Sequence, residues 1–136
     1  MNKYILYAAF ALTLVATVGS LFTSEVLHWA PCVLCWYQRI MLYPLVIILA
    51  VAIVKEISNL EYIVLPMTGI GMLVALYHNL LQYHIIPESL APCSVSTSCI
   101  TLYHFWFDFL TLPLLSLITF VVITILMIVY RKNNHE

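Results

Sequence analysis

Charged residues are so sparse in this chain that the gaps between them constrain its fold more than any motif does. Tyr4 to Ser24 runs 21 residues without Asp, Glu, Lys or Arg, Tyr62 to Pro87 runs 26, and Phe109 to Tyr130 runs 22. A fourth gap, Ile40 to Val54, runs 15. A helix needs about 20 apolar residues to cross a bilayer core. Three gaps therefore qualify outright, and the short one must draw on residues before Ile40. A chain of 136 residues that is 64% hydrophobic and 8% charged carries more apolar surface than a globule of that size can bury. Soluble domains hold about 25% charged residues. Lipid is the solvent for most of this chain.

The expectation is an all-α integral membrane four-helix bundle forming a single domain, with helices over 4–23, 33–54, 62–83 and 109–130. The outward loops would be 24–32 and 84–108, and the other connection is short. The first segment resembles a signal peptide only in carrying Lys3 before an apolar run. That run exceeds the 7–15 residues of an h-region, and Ala16-Thr17-Val18 is a poor cleavage site, so the segment reads as a retained helix. A net charge of −1 and the lack of a basic run argue against a nucleic-acid partner.

Positive residues set the orientation. Lys3, Lys55, Arg131 and Lys132 lie at the N-terminus, between the second and third helices, and at the C-terminus. The other two loops, Glu25 to Pro31 and His84 to Asp108, hold no Lys or Arg. Both termini are therefore expected in the cytoplasm.

All four cysteines then fall on the outer side as two pairs, Cys32 with Cys35 and Cys93 with Cys99. Disulfides form and persist in oxidising compartments, so this placement reads as two redox pairs. Counting a full span back from Val54 starts the second helix near Cys35, and Pro31 suits a first helical turn because its missing N–H costs nothing there. A helix N-terminus presents unsatisfied N–H groups and the positive end of the macrodipole, which favour a thiolate. The thiolate is the species that attacks and leaves in exchange.

Arg39 follows Cys35 by four residues and Cys32 by seven, which puts the three on one helix face. A cation inside the membrane boundary is costly and reads as functional by default. The bland alternative, a side chain snorkelling to headgroup phosphates, is outweighed by the dithiol beside it. A Cys93–Cys99 disulfide would close a loop of seven residues. On the chain-entropy model such a loop contributes only about 2 kcal/mol, which suits a bond meant to be attacked more than a staple. C-x₂-C with C-x₅-C is not far from a structural zinc pattern, but the outward, oxidising positions argue against metal.

A dithiol oxidised repeatedly needs an electron acceptor. The chain has three glycines and no Rossmann pattern for flavin or nicotinamide, and Trp36 after Cys35 excludes a c-type haem motif. A lipid-soluble acceptor needs neither. Trp36, Tyr37, Arg39, His78, Gln82, Tyr83 and His84 cluster at the outer helix ends. Aromatic surface with one or two polar groups suits a planar quinone. Each aromatic taken singly is as well explained by the interfacial belt, and His78 or Gln82 by helix–helix hydrogen bonding.

The stretches P-C-V-L-C-W-Y-Q-R at 31–39, H-N-L-L-Q at 78–82, the outer pair Cys93 and Cys99, and F-L-T-L-P-L-L-S-L at 109–117 resemble the DsbB-type disulfide bond formation proteins, especially their short BdbC-like members. The resemblance spans nearly the whole chain. Vitamin K epoxide reductase-type proteins also combine four helices with two cysteine pairs, but there the loop pair precedes the C-x-x-C. The DsbB resemblance implies a bacterial cytoplasmic-membrane enzyme that re-oxidises an extracytoplasmic thioredoxin-fold dithiol oxidase (DsbA/BdbD-like) and passes the electrons to ubiquinone or menaquinone. It implies that Cys93 forms the mixed disulfide with the partner, that Cys99 exchanges with Cys32, and that Cys35 faces the quinone. Arg39 would stabilise the thiolate and the reduced quinone's charge, with His78 as a weaker quinone contact. The close spacing of Cys93 and Cys99 departs from larger family members and leaves less slack for an interloop Cys32–Cys99 bond. The competing class is a non-catalytic membrane subunit with two structural disulfides in its outer loops.

Overall fold

The computed structural model describes residues 3–26, 33–83, 85 and 112–135. Within them lie four helices: α1 (Lys3–Glu25), α2 (Val33–Lys55), α3 (Glu61–Gln82) and α4 (Leu112–His135). All four are long and apolar enough to cross a membrane. At about 1.5 Å per residue, the 23 residues of α2 span about 34 Å, enough for a hydrocarbon core of about 30 Å. α1 packs on α2 and α4, and α3 packs on the same two helices, giving an antiparallel square in chain order.

A repeat of alternating three- and four-residue steps specifies the interior. The buried positions are Leu42, Leu45, Leu49 and Ala52 on α2, and Phe120, Ile123, Met127 and Tyr130 on α4. On α3 they are Val64, Thr68, Gly71, Ala75 and His78. This is the 3.5-residue seam of helices crossing at a shallow angle. Outside the seam, Ile47, Val54, Leu73 and Ile125 are exposed, as lipid-facing side chains must be. Buried hydroxyls are satisfied within their own helix: Thr13 donates to the Ala9 carbonyl at 2.7 Å and Thr68 to that of Val64 at 3.1 Å.

The basic end is tied together tightly. Glu56 follows α2 in the left-handed region (φ 51°), and the Ile57 N–H donates back to the Ala52 carbonyl at 3.3 Å. This is a Schellman-type helix stop with a residue other than glycine at its turn. The Glu56 carboxylate pairs with Lys3 at 2.7 Å, joining α1 to the α2–α3 connection. Beyond that connection, Glu61 opens α3 fully buried, its Oε1 3.1 Å from His135 Nε2 on α4.

The fourth helix departs from the expected 109–130. It continues to His135, because the charged residues that end the apolar run find partners. The Arg131 guanidinium lies 5.5 Å over the Tyr62 ring, and His135 meets Glu61. Its expected first residues, 109–111, lie outside the described residues, as do the expected outer loops apart from the ends adjoining α1 and α3.

Candidate functional site

At the end of the bundle away from the lysines, α2 begins at Val33, so Cys35 stands in its first turn. Cys35 is half-buried, and its neighbours include the small apolar cluster of Leu34 and Leu81. Gln38, Arg39 and Leu42 follow at three, four and seven residues, and these four side chains line one wall of a cavity of about 310 Å³. α1 supplies a second wall, including Gly19, Ser20 and Thr23. α4 supplies a third, with Ser116, Thr119 and Phe120. The volume falls at the lower end of the range for small-molecule sites, and the lining is mostly apolar with a few convergent polar groups.

Arg39 does not reach away from the protein. Its Nη2 donates to the Ser20 carbonyl at 3.2 Å and to the Ser24 hydroxyl, both on α1. Its guanidinium carbon lies 5.3 Å from the Trp36 ring centroid, within cation–π range. The Ser20 carbonyl also accepts from the Thr23 hydroxyl at 2.8 Å, and the Tyr43 hydroxyl meets Ser20 Oγ at 3.4 Å. Among the described residues no carboxylate pairs with Arg39. A half-buried positive charge thus borders the cavity, one helical turn from Cys35.

Gln38 is almost fully buried, and its Nε2 donates to Nδ1 of His78 at 3.1 Å, linking α2 to α3. The carboxamide is thereby fixed with its carbonyl oxygen left as an acceptor. His78 is also buried but is not a cavity-lining residue, so its connection to the cavity runs through Gln38.

The structure therefore brings Cys35 and Arg39 to one cavity and sets His78 behind it. Gln82 ends α3 one turn beyond His78, and its side chain lies outside the described residues. Cys32, Cys93, Cys99 and His84 lie outside them as well. Trp36, Tyr37 and Tyr83 are each about half exposed, as interfacial belt residues are. Sequence reasoning missed Gln38, which stands three residues after the C-x-x-C; the signal that could have marked it is a polar side chain at helical spacing from Cys35. It also missed the α1 wall, whose only signal is the trio of hydroxyls at Ser20, Thr23 and Ser24 in an apolar helix.

Comparison with known proteins shows the family. The family model described as "Disulfide bond formation protein DsbB" matches residues 2–130. "Disulfide bond formation protein C" of Bacillus subtilis (strain 168) is 40% identical over 131 residues, covering 96% of this chain and 95% of that one. "Probable disulfide formation protein" of Oceanobacillus iheyensis is 41% identical over 123 residues, covering 89% and 85%. The "SPbeta prophage-derived disulfide bond formation protein B" of Bacillus subtilis (strain 168) is 40% identical over 115 residues, covering 84% and 76%. No solved structure matches the chain. With four helices of membrane-spanning length, a C-x-x-C cysteine in the first turn of α2 and a family match across almost its full length, this chain belongs to the DsbB family of membrane disulfide bond formation proteins.

Proposed function

We propose that the protein is a quinone-dependent protein-disulfide oxidoreductase of the bacterial cytoplasmic membrane, with its termini in the cytoplasm and its cysteine pairs outside. It re-oxidises an extracytoplasmic thioredoxin-fold dithiol oxidase. The observation that carries the reading is the Arg39 charge beside Cys35, with no carboxylate partner among the described residues, on the wall of a largely apolar cavity of about 310 Å³.

The relay is balanced in thiols. A thiolate of the reduced partner attacks Cys93 of the Cys93–Cys99 disulfide, forming a mixed disulfide and releasing Cys99. The partner's second thiolate then displaces Cys93 and leaves with its own disulfide formed. Cys99 attacks Cys32 of the Cys32–Cys35 disulfide, releasing Cys35, and Cys93 resolves the Cys32–Cys99 bond. The outer pair is restored, and Cys32 and Cys35 hold the two electrons.

Quinone takes up two electrons and two protons, and the cavity residues fit its needs. Cys35 presents its sulfur, and Arg39 offers donors and positive charge where negative charge develops on an acceptor oxygen. The Gln38 carbonyl, fixed by His78, is an acceptor suited to the hydroxyl of the reduced product. The Ser20 and Ser24 contacts hold Arg39 in place, so little reorganisation is needed when charge appears.

The test is turnover by purified protein in detergent with a reduced thioredoxin-fold partner and quinone. The expected result is loss of quinone absorbance in step with partner oxidation, abolished by Cys35→Ser. Cysteine pairs that stay oxidised in the presence of excess reduced partner would instead indicate structural staples.

A further inference from the structure

The Phe120 ring is fully buried, yet it forms part of the cavity wall. Behind it stands Gly71 of α3, which is outside the cavity. A Cβ built on Gly71 would lie 2.5 Å from Cε1, 2.6 Å from Cζ and 2.9 Å from Cδ1 of that ring. Apolar carbons are comfortable at about 3.5–4.0 Å, so a methyl group there would require the ring to retreat by about 1 Å. Gly69, one residue removed on the same helix, is different: a Cβ there would meet nothing within 4 Å. The requirement for glycine at position 71 therefore comes from this ring and not from a general need of α3.

The cavity whose wall the ring forms gives it room to retreat. Phe120 is embedded in the close-packed cluster that includes Leu42, Leu45, Val64, Ala75 and Ile123, and packed interiors yield little. The neighbouring free volume is the cavity itself. We infer that Gly71, by letting α3 receive the Phe120 ring, is a positioning residue that sets the width of the acceptor cavity and so the size of quinone ring accepted. This inference rests on the reading of that cavity as the quinone site.

The test measures quinone KM and kcat with a short-chain naphthoquinone and a short-chain benzoquinone at saturating reduced partner. Gly71→Ala should raise the naphthoquinone KM about tenfold, the lower end of the effect of a methyl-sized misfit in an apolar pocket. The benzoquinone KM should rise less, and the KM for the protein partner should not change. Gly69→Ala, with the same gain in helix propensity, should match the parent. Gly71→Ala combined with Phe120→Leu should restore the naphthoquinone KM, because no ring is left to be displaced. Parental kinetics in folded Gly71→Ala, or a raised KM that persists in the double variant, would overturn the inference. Should Gly71→Ala fail to fold, Phe120→Leu alone decides: it should raise the naphthoquinone-to-benzoquinone ratio of kcat/KM, and an unchanged ratio overturns the inference. Arg39→Leu separates the two levels. If it changes quinone kinetics and Gly71→Ala does not, only the role of Gly71 falls; if it leaves them unchanged, the cavity reading falls too.

Discussion

Replacing Arg39 by leucine removes a charge whose place in the structure fixes both the size and the selectivity of the expected defect. Arg39 is four residues beyond Cys35, a rise of about 6 Å along α2. A unit charge acting over about 6 Å at an effective dielectric of about 20 stabilises an anion by about 3 kcal/mol. Each 1.36 kcal/mol is tenfold in rate. Arg39 is only half-buried, so solvent and headgroups screen part of this, and the quinone step should slow by about tenfold to hundredfold. The thiol exchange step at Cys93 and Cys99 lies in a different segment and should be nearly unaffected. Lysine should recover part of the rate, because it keeps the charge but cannot present the same planar fork to Ser20 and Ser24. The assay follows quinone absorbance by stopped flow at saturating reduced partner, and separately a single turnover of partner oxidation without quinone. Parental quinone kinetics in folded Arg39→Leu would refute the electrostatic argument and leave the residue as a bridge between α1 and α2. Equal losses in both steps would refute its selectivity.

With Cys93→Ser, partner oxidation should cease while Cys32–Cys35 stays oxidised by quinone; with Cys35→Ser, reduced or mixed species should accumulate upstream, both seen by thiol trapping. His78→Phe removes the acceptor of the Gln38 amide and should raise quinone KM several-fold, with a stability loss of about 1 kcal/mol, the scale of hydrogen bonds between membrane helices; an unchanged KM would show that the Gln38 orientation does not matter. The hydrogen bond and charge of Lys3 hold the Glu56 carboxyl below its usual range. A depressed carboxylate contributes stability above its unfolded pKa and loses it as pH falls through the folded value, so Glu56→Gln should lower Tm slightly at neutral pH, where the pair with Lys3 is formed, and converge with the parent at acid pH, flattening the Tm-against-pH profile between.

The spans were legible because lipid forces the issue: a 26-residue gap in charge such as Tyr62 to Pro87 has few other uses. The shared face of Cys35 and Arg39 was legible because helical spacing is local. What lay beyond reach was contact between helices. Gln38 and His78 are 40 residues apart and meet only because α2 and α3 pack in a particular register. The same holds for the grip of Ser20 and Ser24 on Arg39. Glu61 reads in sequence as one more loop charge, yet it is fully buried at the start of α3 with His135 against it. The same contact carries α4 past the end of its apolar run. Gly71 gave no sign of its role, since a glycine in an apolar helix looks alike whether a ring or open space stands opposite.

The central claim is that the C-x-x-C pair gives its electrons directly to quinone in the cavity of α1, α2 and α4. It is tested most directly by a protein carrying both Cys93→Ser and Cys99→Ser, reduced, freed of reductant and mixed anaerobically with quinone in the absence of partner. Counting thiols and quinone absorbance together, the account predicts that two thiols disappear for each quinone reduced, in a reaction slowed by Arg39→Leu. Thiols that persist beside unreduced quinone would contradict it.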